Sequence, residues 1–193
     1  SRIVYTLLNG KAWQLKQGPF EEAYFTELPE EDWSLLVQGV DNWSEDLSHL
    51  PDDPRFLPNW QLDAIMASYS PKGGSVGPHF DEYDVFLLQA TGTREWKIGQ
   101  LCDHNMPYIE GTPLRILKHF EQQESWILEP GDMLYLPPRF AHYGIALEEC
   151  ITLSVGFRSP SHEEIIDGIT TDIIENLPPG THFSPPKPDE SMN

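Results

Sequence analysis

Between residues 64 and 157 the sequence consists largely of short segments with the composition of β-strands. Glycine and proline interrupt the segments at short intervals, which favours tight turns over long connections. The segments cover residues 64–70, 76–90, 94–98, 125–128, 133–136, 142–147 and 151–157. Short strands at this density predict an antiparallel sandwich or barrel, and a jelly roll would fit. We therefore expect a mostly β protein.

Strand-like sequence also occupies the first third of the chain. Residues 2–8 and 12–15 flank Asn9-Gly10, a dipeptide that favours a hairpin turn. Residues 33–40 have the composition of a buried strand. Residues 41–59 are acidic and contain three prolines, which predicts a loop with a short helix.

A helix is predicted after the strand-rich region. Ser161 and Glu164 have the spacing of a capping box. Isoleucines follow at helical spacing, at positions 165, 166, 169, 173 and 174. The expected organisation is a barrel over residues 1–160, a flanking helix over 161–177 and a proline-rich linker or arm over 178–193. Because the chain begins without methionine, we expect it to be a piece of a longer protein.

Charge and cysteine content narrow the function classes. The net charge is -19, from 31 acidic and 12 basic residues. Direct nucleic-acid binding is not expected, because phosphate contacts need basic patches. A basic protein partner would be attracted, although the acidity could equally serve solubility alone. We expect no membrane-spanning segment and no signal sequence, because no suitable apolar run is present. Cys102 and Cys150 could pair, but two cysteines in a domain of this size are more often free and cytosolic, so we expect a cytoplasmic protein.

Two motifs 63 positions apart contain candidate metal ligands. On an extended strand, His79 and Asp81 project to one side while Phe80 faces the other. Downstream, residues 129–138 form a turn, a short strand and a Pro-Pro stop that lead to His142. Two histidines and one carboxylate form a facial ligand set for Fe(II) that leaves coordination positions open. The alternatives are a surface coincidence for His79 and Asp81, and an ordinary hydrogen-bonded histidine for His142.

The segments around these motifs resemble the JmjC-type 2-oxoglutarate oxygenases, and most of all the bacterial ribosomal oxygenases. The matching residues are 68–86, 129–142, 154–158 and 33–38. The resemblance implies a double-stranded β-helix, a cupin-like jelly roll, with flanking helices. It also implies Fe(II) held by His79, Asp81 and His142, with 2-oxoglutarate and O2 as co-substrates. Members of this family begin earlier and continue further, so the N-terminal part of the barrel is expected to be truncated and the full-length protein to be a homodimer.

A 2-oxoglutarate enzyme needs a buried cation for the far carboxylate of its co-substrate, and Arg94 is the candidate. Residues 94, 96 and 98 share one face of a strand, and Trp96 and Ile98 mark that face as inward. The family places its co-substrate cation at the matching position. An exposed arginine at a strand start is the alternative. Further candidates for hydroxyl contacts to the co-substrate are Ser68, Thr152 and Ser154.

The resemblance also implies a reaction. It is a dioxygenase reaction in which 2-oxoglutarate becomes succinate and carbon dioxide while a protein C–H bond is hydroxylated, and no catalytic residue beyond the metal ligands is required. The implied target is an arginine side chain of a large-subunit ribosomal protein, which suits an acidic chain. Histidine hydroxylation and lysine demethylation are alternatives within the family. A cupin-type metalloenzyme for small molecules and an inactive interaction module are further alternatives; Arg94 argues against the first and the intact ligand set against the second.

Overall fold

The structure is a computed structural model of the chain, and it describes residues 1–8, 10–48, 61–180 and 182. Within these residues ten strands are formed: β1 Arg2–Leu8, β2 Lys11–Gln17, β3 Trp33–Gln38, β4 Leu62–Ser70, β5 Asp84–Thr91, β6 Arg94–Leu101, β7 Glu124–Leu128, β8 Met133–Leu136, β9 Phe140–Ala146 and β10 Cys150–Phe157. The helices are α1 Glu22–Phe25, a 3-10 turn at Val40–Asn42, α2 Glu45–Ser48 and α3 His162–Asn176. No helix in the described part of the chain is long and apolar enough to cross a membrane.

The strands form two antiparallel sheets. The larger has the order β2-β1-β3-β4-β10-β5-β8 and the smaller the order β7-β6-β9. An isolated antiparallel bridge between His79 and His142 extends the smaller sheet beyond β9. The segment at His79 therefore stands beside β9, β6 and β7, opposite a wall made of β4, β10, β5 and β8. This arrangement is a double-stranded β-helix, and it confirms the predicted mostly β, jelly-roll fold.

The core forms on both faces of the larger sheet because successive side chains of β5 point to opposite faces and are buried on both. Val85 and Leu87 pack with Trp96 of the smaller sheet, in the space between the two sheets. Phe86 points the other way and packs with Ile65 and with residues of β10. Burying an apolar side chain of this size stabilises the fold by about 1.5–3 kcal/mol. The inner cluster also forms one side of the cavity described below.

The strand predicted for residues 76–90 is too long at its start. β5 begins at Asp84, and before it only His79 takes part in sheet pairing. Gly77 has a φ of +81°, in the left-handed region that interrupts a strand. A Cβ on Gly77 would also lie 2.5 Å from Ile116 Cδ1, so this segment runs closely beneath a neighbouring loop. The other strands between residues 94 and 157 match their predicted ranges to within three residues.

The N-terminal strands extend the larger sheet. β1 pairs with β2 and with β3, and β3 pairs with β4. The residues that flank the predicted Asn9-Gly10 turn, Leu8 and Lys11, are paired, whereas Asn9 itself lies outside the described residues. Of the loop predicted for residues 41–59, α2 is described, and residues 49–59 lie outside the described part.

The chain divides into two compact units, Ser1–Arg158 and Ser159–Asn193. In the second unit the capping box of α3 is confirmed. The Ser161 hydroxyl accepts from the Glu164 backbone N–H at 3.1 Å, and the Glu164 carboxylate accepts from the Ser161 N–H at 2.7 Å. Most of the predicted linker, residues 183–193, lies outside the described residues.

Candidate metal centre

His79, Asp81 and His142 converge on one point. Each offers one ligand atom, and these atoms lie within 4.8 Å of one another; His142 Nε2 and Asp81 Oδ2 are 3.7 Å apart. Two backbone hydrogen bonds of 3.0 and 2.8 Å between His79 and His142 bring the imidazole rings side by side, with centroids 4.3 Å apart. The sheet pairing that closes the barrel therefore also assembles the three side chains.

Backbone carbonyls determine which nitrogen of each histidine is free. Nδ1 of His79 lies 2.8 Å from the Gly77 oxygen, and Nδ1 of His142 lies 3.0 Å from the Phe140 oxygen. Because a carbonyl can only accept, Nδ1 carries the proton in both rings. Nε2 of each ring is then left with a lone pair for a metal ion. With the Asp81 carboxylate, these donors fit the two-histidine, one-carboxylate set of non-haem Fe(II) sites.

The environment of His142 keeps its ring neutral. Its side chain is buried, and burial, followed by the charge of nearby His79, lowers its pKa from 6.5 to about 3. The hydrogen bond to Phe140 opposes this shift only in part. The short distance to Asp81 is therefore not an ion pair at neutral pH. It is the spacing between two potential ligands, one of them in the unprotonated state that metal binding requires.

A cavity of about 310 Å³ adjoins the three ligands. This volume lies at the lower end of the range for small-molecule pockets. The inner wall is apolar where Val85, Leu87 and Trp96 face it, and Arg94 lies in the same wall. A ligand in this cavity would meet the metal ligands and a buried cation together.

Arg94 is a buried cation of the cavity wall. Its side chain is 4% exposed, and burial lowers its pKa, although a guanidinium stays charged at neutral pH. Nη1 donates to Ser68 Oγ at 3.4 Å and Nη2 donates to Ser70 Oγ at 2.5 Å, while Nε has no hydrogen-bond partner in the described part of the chain. Among the residues that the structure describes, none gives Arg94 an ion pair. A carboxylate ligand would supply the missing charge.

The three hydroxyl candidates lie in different positions. Ser68 and Ser154 line the cavity. Thr152 is fully buried and is not among the lining residues; its hydroxyl donates to Gln89 Oε1 at 2.8 Å. The alternation that places Thr152 and Ser154 on one face of β10 therefore does not bring both to the cavity.

Sequence reasoning missed several residues of the site. Tyr83 lines the cavity, and burial, followed by the nearby charges of Asp81 and Asp63, raises its pKa to about 12, so its hydroxyl stays protonated. Tyr108 and Arg115, from the loop between β6 and β7, also line it, with the Arg115 guanidinium 4.9 Å from the Tyr108 ring centroid. For Tyr83 the signal was its position two residues after Asp81. The loop residues have no periodicity that would mark them.

Comparisons with known proteins identify the proteins that this chain resembles. A family model described as JmjC domain matches residues 49–165. The chain is 45% identical to a probable ribosomal oxygenase of Haemophilus influenzae, over 92% of this chain and 44% of that protein. It is 42% identical to the ribosomal protein uL16 3-hydroxylase of Escherichia coli, over 90% of this chain and 46% of that protein.

A solved structure extends the similarity to the fold. The Escherichia coli ribosomal oxygenase YcfD, in complex with cobalt and 2-oxoglutarate, superposes with a TM-score of 0.80 at 40% identity. The match covers 98% of this chain and 49% of that chain. The chain thus spans about half the length of the curated relatives and of this structure.

Proposed function

The chain belongs to the JmjC domain family, and on that premise we propose that it is an Fe(II)- and 2-oxoglutarate-dependent dioxygenase that hydroxylates a protein. One observation carries the proposal. The ligand atoms of His79, Asp81 and His142 and the buried cation Arg94 face a single cavity. An iron site alone would not need the buried arginine, and a site for an anion alone would not need the three ligands.

Each group has a separate task in this scheme. His79, Asp81 and His142 would hold the iron. A bound iron would supply the redox chemistry by which O2 converts 2-oxoglutarate to succinate and carbon dioxide while a substrate C–H bond becomes C–OH. Arg94 binds the far carboxylate of 2-oxoglutarate through a charge-assisted hydrogen bond.

The remaining wall residues bind and shield the co-substrate. Ser68 and Ser154 add hydroxyl contacts from the cavity wall, whereas Thr152 lies behind it. Leu87 and Trp96 keep water from this side of the cavity. In this scheme no side chain has to remove a proton as a general base, so the cavity needs none.

We infer that the target is an arginine side chain of a ribosomal protein, with uL16 as the first candidate. The relative from Escherichia coli is named for hydroxylating uL16. The exposed lining residues Asp63 and Glu82 and the net charge of -19 favour a cationic segment, although Arg2 and Arg115 line the same cavity. A ribosomal protein target would place the activity in the cytoplasm. The homodimer expected for the full-length protein stays a prediction.

The proposal is tested by intact-mass measurement on a uL16 peptide that contains arginine. The peptide is incubated with the chain, Fe(II), ascorbate and 2-oxoglutarate, and a parallel sample omits 2-oxoglutarate. We expect one added oxygen atom that depends on 2-oxoglutarate, and fragmentation of the peptide to place it on the arginine side chain. His142→Ala should abolish the product, whereas His119→Ala, at an exposed histidine outside the cavity, should not.

The other outcomes separate the parts of the proposal. Succinate without a modified peptide would keep the oxygenase and reject this peptide. An added oxygen on a different side chain would reject arginine as the target. If neither succinate nor modified peptide forms, while a longer protein that includes this region forms both, the activity needs the additional chain.

A further inference from the structure

On the side away from the cavity, Arg94 contacts a buried hydroxyl group that is linked by a hydrogen bond to a second one. Ser70, at the end of β4, accepts from Arg94 Nη2, and its hydroxyl lies 2.7 Å from that of Ser34 on β3. Both serines are fully buried. Neither is among the residues that line the cavity, which distinguishes them from Ser68. A ligand in the cavity would therefore meet Arg94 and not these two serines.

The chemistry of the donors sets the direction of the bond between Arg94 and Ser70. A guanidinium has five N–H donors and no acceptor, so the Ser70 oxygen must be the acceptor in its bond with Arg94. Either hydroxyl can donate in the bond between the two serines, and we take the arrangement in which Ser70 donates to Ser34. Donation in this direction turns both hydroxyl dipoles with their oxygens toward the cation, and each bond strengthens the next. Ser34 thereby stabilises the positive charge without touching Arg94.

The two serine hydroxyl groups matter because Arg94 has no anion beside it among the described residues. A buried guanidinium is costly unless its hydrogen bonds are satisfied, and its long side chain has several rotatable bonds. Ser68 and Ser70 together engage both Nη atoms. The plane of the guanidinium is then determined before any ligand arrives, which lowers the entropy lost on binding.

We propose that Ser34 and Ser70 are positioning residues that orient Arg94 toward the far carboxylate of 2-oxoglutarate. They set co-substrate affinity from outside the cavity, and Ser34 does so from the N-terminal part of the larger sheet. The inference rests on the proposed function, because it takes 2-oxoglutarate as the ligand of Arg94. The alternative is that the serines merely join the two sheets, since Arg94 lies on β6 and Ser70 on β4.

A comparison of two ligands separates these roles. 2-Oxoglutarate and 2-oxobutyrate share the 2-oxo acid end that would bind the metal, but 2-oxobutyrate lacks the far carboxylate. Their dissociation constants are measured by competition calorimetry on the Mn(II)-loaded protein, which does not turn over. The quantity of interest is the ratio of the two constants, because a general loss of structure weakens both ligands.

The expected result is a loss of preference for 2-oxoglutarate. Ser70→Ala should reduce the preference about ten-fold and Ser34→Ala about five-fold, with 2-oxobutyrate binding unchanged within about two-fold. Arg94→Ala should remove most of the preference. Thr6→Val is the matched control: it removes a hydroxyl from β1 that bonds the Ser75 backbone and not Arg94, and it should leave the ratio unchanged.

Each other outcome would overturn a named part of this proposal. Equal weakening of both ligands in the serine variants, or no change in either, would show that the serines have no role in orienting Arg94. A ratio changed by Ser70→Ala but not by Ser34→Ala would limit the positioning role to Ser70 and reject Ser34. If Ser34→Ala does not fold, the ligand ratio of Ser70→Ala decides whether the buried hydroxyl groups orient Arg94. If the wild-type chain binds Mn(II) but not 2-oxoglutarate, the proposed function itself fails, and this inference fails with it.

Discussion

His142 shows how far residue chemistry alone identifies a site. Its position after the Pro-Pro stop made it a candidate ligand, and the structure brings it to His79 and Asp81. The sequence did not show that a backbone bridge between the two histidines would place their rings 4.3 Å apart. Pairing between segments 63 positions apart depends on the whole fold, whereas the choice of ligand residue types is local.

Removing His142 should disable metal binding. His142→Ala leaves two ligands, and we expect the affinity for Mn(II) to fall by more than about 100-fold, since even changes outside the ligand shell cost 10–100-fold. Calorimetric titration of the metal-free protein measures this effect. His119→Ala, at an exposed histidine, serves as the control and should bind Mn(II) like the wild type. An unaltered isotherm in His142→Ala would remove His142 from the site.

The pKa of His142 predicts how stability depends on pH in the metal-free protein. In the unfolded chain the ring takes up a proton near pH 6.5, whereas in the folded chain burial lowers its pKa to about 3. Between these values the unfolded state binds more protons, so the unfolding free energy should fall as the pH falls. One such proton corresponds to a slope of about 1.4 kcal/mol per pH unit.

Urea unfolding from pH 7 to pH 4.5, with a chelator present, tests this dependence. His142→Gln cannot take up the proton, so its unfolding free energy should fall less steeply with pH than that of the wild type. If the unfolding free energies of the two proteins fall equally steeply with pH, His142 is not the group that takes up the proton. NMR titration of the His142 ring gives a second readout, because its signals should not shift over the same range.

At the scale of single elements, periodicity predicted the strands well and their connections poorly. Strand β8 was predicted with its observed bounds, because a turn and a Pro-Pro stop delimit it. The start of β5 was wrong by eight positions, since strand-like residues continue upstream of Asp84 although the backbone at Gly77 is left-handed. The loop that supplies Tyr108 and Arg115 has no repeating pattern, so its place over the cavity could not be predicted.

The pairing of β6 with β9 depends on a residue without a side chain. Gly144 lies opposite Trp96, and a Cβ at this position would approach the Trp96 ring to 2.8 Å. Gly144→Ala should therefore displace Trp96 and destabilise the fold by about 1–3 kcal/mol, the usual cost of overpacking. Because the Trp96 and His142 ring centroids are 6.0 Å apart, metal affinity should fall as well.

Denaturant unfolding and Mn(II) calorimetry measure the two effects of Gly144→Ala. Gly168→Ala is the control, because a Cβ there meets no atom within 4 Å and lies within α3. It should be neutral or slightly stabilising, since alanine favours a helix. If Gly144→Ala unfolds at the wild-type denaturant concentration, the contact with Trp96 does not limit the packing of these strands.

For the whole molecule, the sequence predicted the class of fold but not how the N-terminal strands join it. The density of short strands was enough for a jelly roll. That β1, β2 and β3 extend the larger sheet was not predictable, because any strand with one apolar face can pair at an open edge. This extension has a consequence for the site, because it brings Ser34 into contact with Ser70, whose hydroxyl accepts a hydrogen bond from Arg94.

The charge of the molecule gives a prediction that belongs to no single residue. A chain with a net charge of -19 attracts a cationic peptide from a distance, and dissolved salt screens this attraction. The Debye length shrinks from about 14 Å at about 50 mM salt to about 4 Å at about 500 mM. We therefore expect the affinity for a basic uL16 peptide to fall several-fold between these concentrations, mainly through a slower association rate.

Surface plasmon resonance at the two salt concentrations measures both rates. The control is a peptide that keeps the target arginine and replaces its other basic residues with glutamine, and its binding should depend little on salt. If the basic peptide binds equally well at both concentrations, the negative charge serves solubility and does not attract the substrate. In that case the cavity, whose lining includes Asp63 and Glu82, would have to supply the whole preference for a cationic target.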